Sequence, residues 1–232
     1  MGQLPTGQAD AALRRFGLPR FARVRPRPSA RPVVTVTGAV ARPAQLQLGE
    51  LLDRHDRRTQ RSDLHCVTTW SARDLSWSGV PFRDVHATLT AETGVSGAAG
   101  WVTFTGVDGY RACLRLDDAL ADDVLLADHL DGVPLTVDHG APVRLVAPAH
   151  YGYKSVKHVC AIEYRRDYDP GSARWAAHPR GRVAHEERSR YLPGALWRPI
   201  WRSLLPRVRA RYEADGHLTS HGRQSTPTAG DA

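Results

Sequence analysis

The sequence predicts an α+β fold in which mixed sheets carry short helices. Three observations lead there. The β-branched and aromatic runs VVTVTGAV (33–40), GWVTFTG (100–106), VRLVAP (143–148) and SVKHVCAIEY (155–164) are scattered along the chain and do not alternate regularly with helices. The helical patterns between them are short. The glycines around 139–157 do not form G-x-G-x-x-G, so a doubly wound nucleotide-binding sheet has no support.

Taken in order, residues 1–31 read as a Pro- and Arg-rich arm with one short helical possibility at Ala11–Phe16. A strand over 33–40 follows, ended by Gly. LQLGELLDRH (46–55) suits a short helix with Leu48, Leu51 and Leu52 on one face. Residues 57–63 read as a charged loop and LHCVTTW (64–70) as a strand. LSWSGVPFRDVHATL (75–89) reads as a turn, then a helix beginning near Pro81 or Phe82. The strand 100–106 returns through Asp108-Gly109 into YRACLRL (110–116). Residues 117–130 open on a capping-type Asp and read as partly helical. DGVPL (131–135) is a turn into extended chain, and the strands at 143–148 and 155–164 flank a Gly-Tyr-Lys turn. Beyond Asp169 the chain turns polar. Trp197, Ile200, Trp201, Leu204, Leu205, Val208 and Tyr212 then recur at spacings of three and four among arginines, an amphipathic helix interrupted at Pro206. The expected organisation is an arm (1–31), a core domain (32–168), an Arg-rich extension (169–215) and a disordered tail (216–232).

The net charge of +8 sits at the ends. Residues 1–31 carry seven Arg against one Asp, and residues 165–232 thirteen Arg against seven acids. Residues 32–164 carry twelve Lys and Arg against sixteen Asp and Glu, so the central domain is acidic. A nucleic-acid partner is not expected, because such proteins gather charge on the folded reading face. The basic ends suit an acidic partner or an anionic lipid surface, with 190–212 as the segment for peripheral membrane contact. Three cysteines without close pairing exclude a disulfide scaffold. No apolar run of signal-peptide length opens the chain, and the expected location is cytoplasmic.

Two segments carry chemistry. In LHCVTTWSARDLSWSGVPF (64–82), Cys66 offers a soft thiolate suited to a polarizable metal. In HGAPVRLVAPAHYGYKSVK (139–157), His139, Arg144, Ser155 and Lys157 offer donors for an anion, Arg144 as a fork and Lys157 as a point charge, with Gly152 allowing a tight turn. Lys154 and Lys157 are the only two lysines in the chain. Cys113 and Cys160 lie in apolar strands and read as core. A zinc site at Cys66 and His65 lacks ligand spacing.

These two segments, in this order, resemble the molybdopterin-binding core of the sulfite oxidase family over roughly residues 33–168. The resemblance implies that core's fold, a molybdenum–molybdopterin cofactor (Mo), and an oxidoreductase moving an oxo group to or from a small substrate, with an electron-transfer partner. It implies that Cys66 is the one protein sulfur on the metal. It further implies that His139, Arg144, Ser155, Val156 and Lys157, with Thr105 and Asp108 of TFTGVDGY, contact the cofactor. Trp70, His150, Tyr151 and Tyr153 are candidates for the substrate wall, and Trp70, Tyr151 and Tyr153 are the expected catalytic set. Where sulfite oxidases place cationic substrate donors after the cysteine, this chain has Thr69, Trp70 and Ser71. The immunoglobulin-like and heme domains of that group have no counterpart. In both respects the chain is more similar to the methionine sulfoxide reductase branch. RFGLPRFARV replaces that branch's N-terminal cofactor contact. An S- or N-oxide is thus expected over sulfite. The competing expectation is a binding module of the same fold with an empty site, whose basic ends hold an acidic protein, RNA or lipid.

Overall fold

The computed structural model describes residues 3–217 except 22, 23, 25, 28, 175 and 176. The expected tail lies outside the described residues from 218 onward, as does the Tyr212 side chain. In chain order the elements are β1 (Ala9–Asp10), β2 (Val33–Gly38), β3 (Ala44–Gln47), α1 (Leu48–Leu52), β4 (Arg58–His65), β5 (Trp70–Pro81) and α2 (Phe82–Thr93). Then come β6 (Trp101–Gly106), β7 (Arg111–Arg115), α3 (Leu116–Ala119), β8 (Leu125–Leu130), β9 (Val133–Pro134), β10 (Arg144–Val146), β11 (Val159–Arg165) and α4 (Gly194–His217). Short 3-10 turns stand at Pro19–Phe21, Val137–His139 and Gly152–Lys154.

Two mixed sheets form, as the α+β expectation requires. One runs β3-β2-β11-β6-β7, with β11 parallel to β2 and antiparallel to β6. The other runs β1-β5-β8-β10, with β4 added on β5 and β9 on β8. α2 packs into the main core through Phe82, Val85 and Leu89, all fully buried at helical spacing. Burial of a side chain of this size contributes roughly 1.5–3 kcal/mol. The helix has no side-chain cap. Its first amide instead donates to Val124 O, 2.9 Å away, and Gly94 closes it in the left-handed region at φ 67°.

Several local expectations give way. Residues 58–65 form strand β4 and not a loop. Its side chains are charged because one face is solvated, while its backbone pairs antiparallel with β5 from Arg58↔Gly79 to His65↔Ser71. The segment 64–70 is not a continuous strand: β4 ends at His65, and Cys66–Thr69 make a tight turn. The SWSGVP stretch is the end of a twelve-residue strand, not a turn. Residues 117–130 hold only the short α3, and LLADHL is strand β8. Ser155–His158 stay outside β11. Ala11–Phe16 form no helix. They lie extended beside β5, where β1 pairs parallel with Trp70 and Ser71. Residues 216 and 217 are helical, not disordered.

A second cluster of Trp70, Ala72, Leu75, Trp77, Leu125, Ala127, Leu130, Leu135 and Val146 sits under the second sheet. Ala11, Leu13 and Phe16 of the arm pack on it from one side, and Leu205 of α4 also packs on it. Both chain ends therefore converge on the region of Cys66.

Gly79 lies where β5 shifts register against β8. A Cβ there would stand 2.1 Å from Leu126 O and 2.5 Å from Ala127 Cα, both backbone atoms. Gly79→Ala is expected to lower unfolding free energy by about 1–3 kcal/mol, read as a shifted urea midpoint. Gly49→Ala, with nothing within 4 Å of its Cβ and a place in α1, is the matched control and should not fall below wild type, with a gain of up to about 1 kcal/mol from helix propensity.

Candidate cofactor cavity

Cys66 occupies the β4–β5 turn. Its amide donates to Trp70 O at 2.8 Å, and its carbonyl accepts from Thr69 N at 3.2 Å and from Gln8 Nε2 at 3.1 Å. Thr69 takes φ 73°, a left-handed conformation that a β-branched residue holds only under tertiary constraint. The turn thus fixes the thiol, whose Sγ lies 3.0 Å from Thr68 Oγ1. Burial pushes the thiol pKa up, the Thr68 hydroxyl and amide pull it down, and Arg209 and Arg188 do so from farther away.

The second segment forms the other wall. Arg144, on β10, is 2% exposed. Its guanidinium donates to His139 O (3.1 Å) and Ser155 O (3.3 Å) and stacks 4.9 Å from the Trp77 ring centroid. Burial lowers its pKa to about 10. Lys157 Nζ donates to Asp138 O at 2.6 Å, and burial, then Arg144 and Arg15, push it down to about 7. Burial, then Lys157 and Arg144, push the His139 pKa down. Gly140, at φ 111°, joins them closely: a Cβ there would meet Arg144 Cβ at 3.0 Å and Lys157 Cβ at 3.1 Å.

Both walls face one cavity of about 280 Å³. Among the expected site residues, Cys66, Trp70, Asp108, His139, Arg144, Tyr153, Ser155 and Lys157 line it. The others do not. Thr105 points elsewhere on β6, and Val156 is fully buried in the main core. Tyr151, also fully buried, carries the Arg188 guanidinium 5.0 Å from its ring centroid. His150 Nε2 stands 3.4 Å from Asp118, in an ion cluster with Arg180. Lys154 turns away from the cavity and donates to Cys113 O and Pro179 O, so the two lysines do different work. Tyr153 reaches the cavity with its hydroxyl already donated to His178 O at 3.0 Å. Around Lys154 and Val156 the cause is visible: they turn away from the cavity while Tyr153, Ser155 and Lys157 between and beside them line it, which a linear motif does not encode.

Sequence reasoning missed several lining groups. His158, at φ 56°, holds Nδ1 2.6 Å from Ala141 O. Tyr110 donates its hydroxyl to Tyr153 O at 2.6 Å, and the Phe21 ring meets it edge-on. Arg15 joins Asp138 at 3.3 Å. Phe16, Leu18 and Phe21 of the arm and Trp201 and Val208 of α4 complete an apolar roof. The Lys157-His158 pair was the visible signal for the first. For the roof the amphipathic spacing of α4 showed that a face is buried but not what it covers.

The arrangement fits an anionic, metal-bearing group. Among the described residues Arg144 and Lys157 have no carboxylate at ion-pair distance, and Arg144 Nε and His139 Nδ1 are buried without hydrogen-bond partners. Such groups are costly unless a ligand satisfies them. A phosphate there would be held by Arg144, Lys157 and Ser155, and a soft metal by Cys66 once deprotonated.

A thiol and a cationic cradle with no acidic partner among the described residues thus line one cavity. The chain belongs to the oxidoreductase molybdopterin-binding domain family, whose description matches residues 26–173. It is 38% identical over 136 residues to the uncharacterized oxidoreductase YuiH of Bacillus subtilis, across 59% of this chain and 66% of that protein. It is 34% identical over 146 residues to the protein-methionine-sulfoxide reductase catalytic subunit MsrP of Xanthomonas campestris, across 56% of this chain and 44% of that one. The Gluconobacter oxydans MsrP is 31% identical over 152 residues, with coverages of 58% and 47%. These matches span less than two-thirds of each relative's own length. The sulfane dehydrogenase SoxCD from Paracoccus pantotrophus shares the fold, with TM-score 0.55 at 21% identity over 67% of this chain and 43% of that one.

The depressed Lys157 has a consequence for stability. In the unfolded chain its pKa returns to 10.5, so from about pH 7 upward the unfolded state binds more protons than the folded one. Lys154, lowered to about 8, acts in the same direction. Cofactor-free protein should therefore gain stability from about pH 7 to about pH 8.5, measured as urea midpoints. Lys157→Met should flatten that rise to the share left to Lys154. Inorganic phosphate, which favours the charged ammonium, should flatten it in wild type. Parallel slopes in wild type and variant would remove the cation from the account.

Proposed function

We propose that this chain holds molybdenum–molybdopterin in the 280 Å³ cavity and reduces a neutral S- or N-oxide by oxo transfer. The observation that carries this reading is that Cys66, Arg144 and Lys157 line the same cavity. When bound, the cofactor supplies a metal that changes oxidation state as an oxo group moves. The protein's own part is binding, orientation and exclusion of water. Arg144, Lys157 and Ser155 hold the phosphate end, the Cys66–Thr69 turn holds the sulfur, and the arm and α4 close the roof.

The preference for a neutral substrate rests on the surroundings of Cys66. Leu64, Val67, Thr68 and Trp70 line the cavity there and are uncharged. Arg188 is close enough to influence the thiol, but its guanidinium is engaged by Val67 O (2.8 Å) and Thr6 O (3.1 Å). Arg209 sits 5.6 Å over the Trp70 ring and does not line the cavity. Among the described residues, a sulfite dianion would meet two guanidinium groups near the sulfur, Arg188 and Arg209, that are already engaged. The likeness to two MsrP proteins supports a sulfoxide over an N-oxide. An electron-transfer partner must then supply the reducing equivalents.

Protein purified from a cofactor-competent host should contain molybdenum and show a Mo(V) electron paramagnetic resonance signal. Cys66→Ala should lower molybdenum content about ten-fold or more. With reduced viologen as donor, wild type should turn over methionine sulfoxide at roughly 1 s⁻¹ or faster. Sulfite oxidation outrunning sulfoxide reduction would overturn the substrate assignment, and wild type without molybdenum would overturn the cofactor assignment.

A further inference from the structure

α4 has two apolar faces, and only one is covered. Trp201 and Val208 line the cavity, and Leu205 packs on the Trp70–Trp77 cluster. On the same inward side Arg198 meets Glu186 at 3.5 Å and lies against Gly7. Leu196, Ile200 and Leu204 follow one another at four-residue spacing and are 56%, 40% and 38% exposed. That spacing puts them in one stripe along the outer face. Tyr191 and Leu192, just ahead of the helix, are exposed as well. Five of the nine large apolar side chains exposed among the described residues thus fall between 191 and 204. Scattered exposed apolar residues are ordinary, but a contiguous stripe marks a contact surface.

The charge around the stripe names the kind of surface. From 190 to 212 there are six arginines and no Asp or Glu. Arg190, Arg202 and Arg207 are exposed, and none has an acidic partner among the described residues. A nucleic acid would satisfy the guanidinium groups and leave the leucines and isoleucine in water. A bilayer with anionic headgroups satisfies both, since apolar side chains enter the headgroup–acyl boundary while arginines stay among the phosphates. No described helix is long and apolar enough to cross a membrane, so α4 would lie along the surface.

We propose that the outer face of α4, with Tyr191 and Leu192, docks this protein on an anionic lipid bilayer. The helix then stands between the lipid and the cavity it roofs. This surface is separate from the cofactor cradle, and docking does not depend on the oxidoreductase reading.

The test is flotation of the purified full chain with phosphatidylcholine vesicles, with and without phosphatidylglycerol. The chain should float with the anionic vesicles and less so as salt is raised. The triple variant Leu196→Ser/Ile200→Ser/Leu204→Ser should lower partitioning about ten-fold or more. Arg202→Glu/Arg207→Glu, which alters only exposed groups, should lower it on anionic vesicles with circular dichroism and molybdenum content unchanged. That second variant carries the test should the first fail to fold. Three results each overturn the proposal: no flotation with phosphatidylglycerol, equal flotation of wild type and the charge-reversed variant, or self-association lost in the triple variant without vesicle binding. Loss of molybdenum or sulfoxide turnover with flotation intact would leave docking standing and strike only the cofactor reading.

Discussion

The structure depends on one unfavourable arrangement: a guanidinium and an ammonium brought together inside the protein with no acid at ion-pair distance among the described residues. Arg144 is buried, its Nε has no partner, and Lys157 is driven down to about 7. Left alone, such a pair costs stability through desolvation and like-charge repulsion. It persists because the fold pins both residues: Arg144 by the Trp77 face and two carbonyls, Lys157 by Asp138 O, with Gly140 squeezed between their β-carbons. A bound anion would offset both penalties at once, so the fold has already brought together the groups a phosphate needs.

The rest of the architecture serves to bring a sulfur to that cradle. The β4–β5 hairpin and the β10–β11 connection belong to different parts of the chain, about seventy residues apart in sequence. β8 joins them, since it pairs with β5 on one side and β10 on the other. Arg144 is therefore held in the same hydrogen-bonded sheet whose β4–β5 turn carries Cys66, and that turn is itself tied by Cys66 N to Trp70 O, a rigid support of the kind a site with exact geometric demands requires. The two ends of the chain then cover what the sheets leave open. The arm pairs through β1 and packs Phe16 edge-on to Trp70, and α4 lays Arg209 over the same indole.

The sequence made the sheets and the cradle visible because both rest on local signals. Val33–Gly38 and Trp101–Gly106 alternate or run β-branched, and Gly140, Arg144 and Lys157 crowd a short punctuated segment. What stayed hidden depends on partners far along the chain. Residues 57–63 read as a loop because their charges report the solvent face, while from Arg58 the backbone pairs with β5. Tyr151 and Val156 sit beside cavity residues in sequence but turn into packing, since they flank the 3-10 turn at Gly152–Lys154, which redirects the chain between them. The arm read as an appendage because its apolar residues, Leu13, Phe16 and Phe21, are too sparse for a periodic pattern and find their partners only in the folded state.

Placement of charge also separates recognition from reaction. In the proposed reading the buried cations Arg144 and Lys157 belong to the phosphate end, whereas Leu64, Val67, Thr68 and Trp70 beside Cys66 are uncharged. Arginines do approach the sulfur from the C-terminal extension, yet Arg188 is spent on backbone carbonyls and Arg209 on an indole face. A group developing negative charge near the thiolate would find little there to stabilise it, while a neutral oxide gives up its oxygen without bringing net charge into a low-dielectric pocket. The same thrift with acids appears outside: the extension holds its free arginines on the surface of α4, away from the site, where an anionic surface can reach them. On the two proposals the positive regions answer to two different anions, one enclosed and one external, with the indole and aliphatic roof between them.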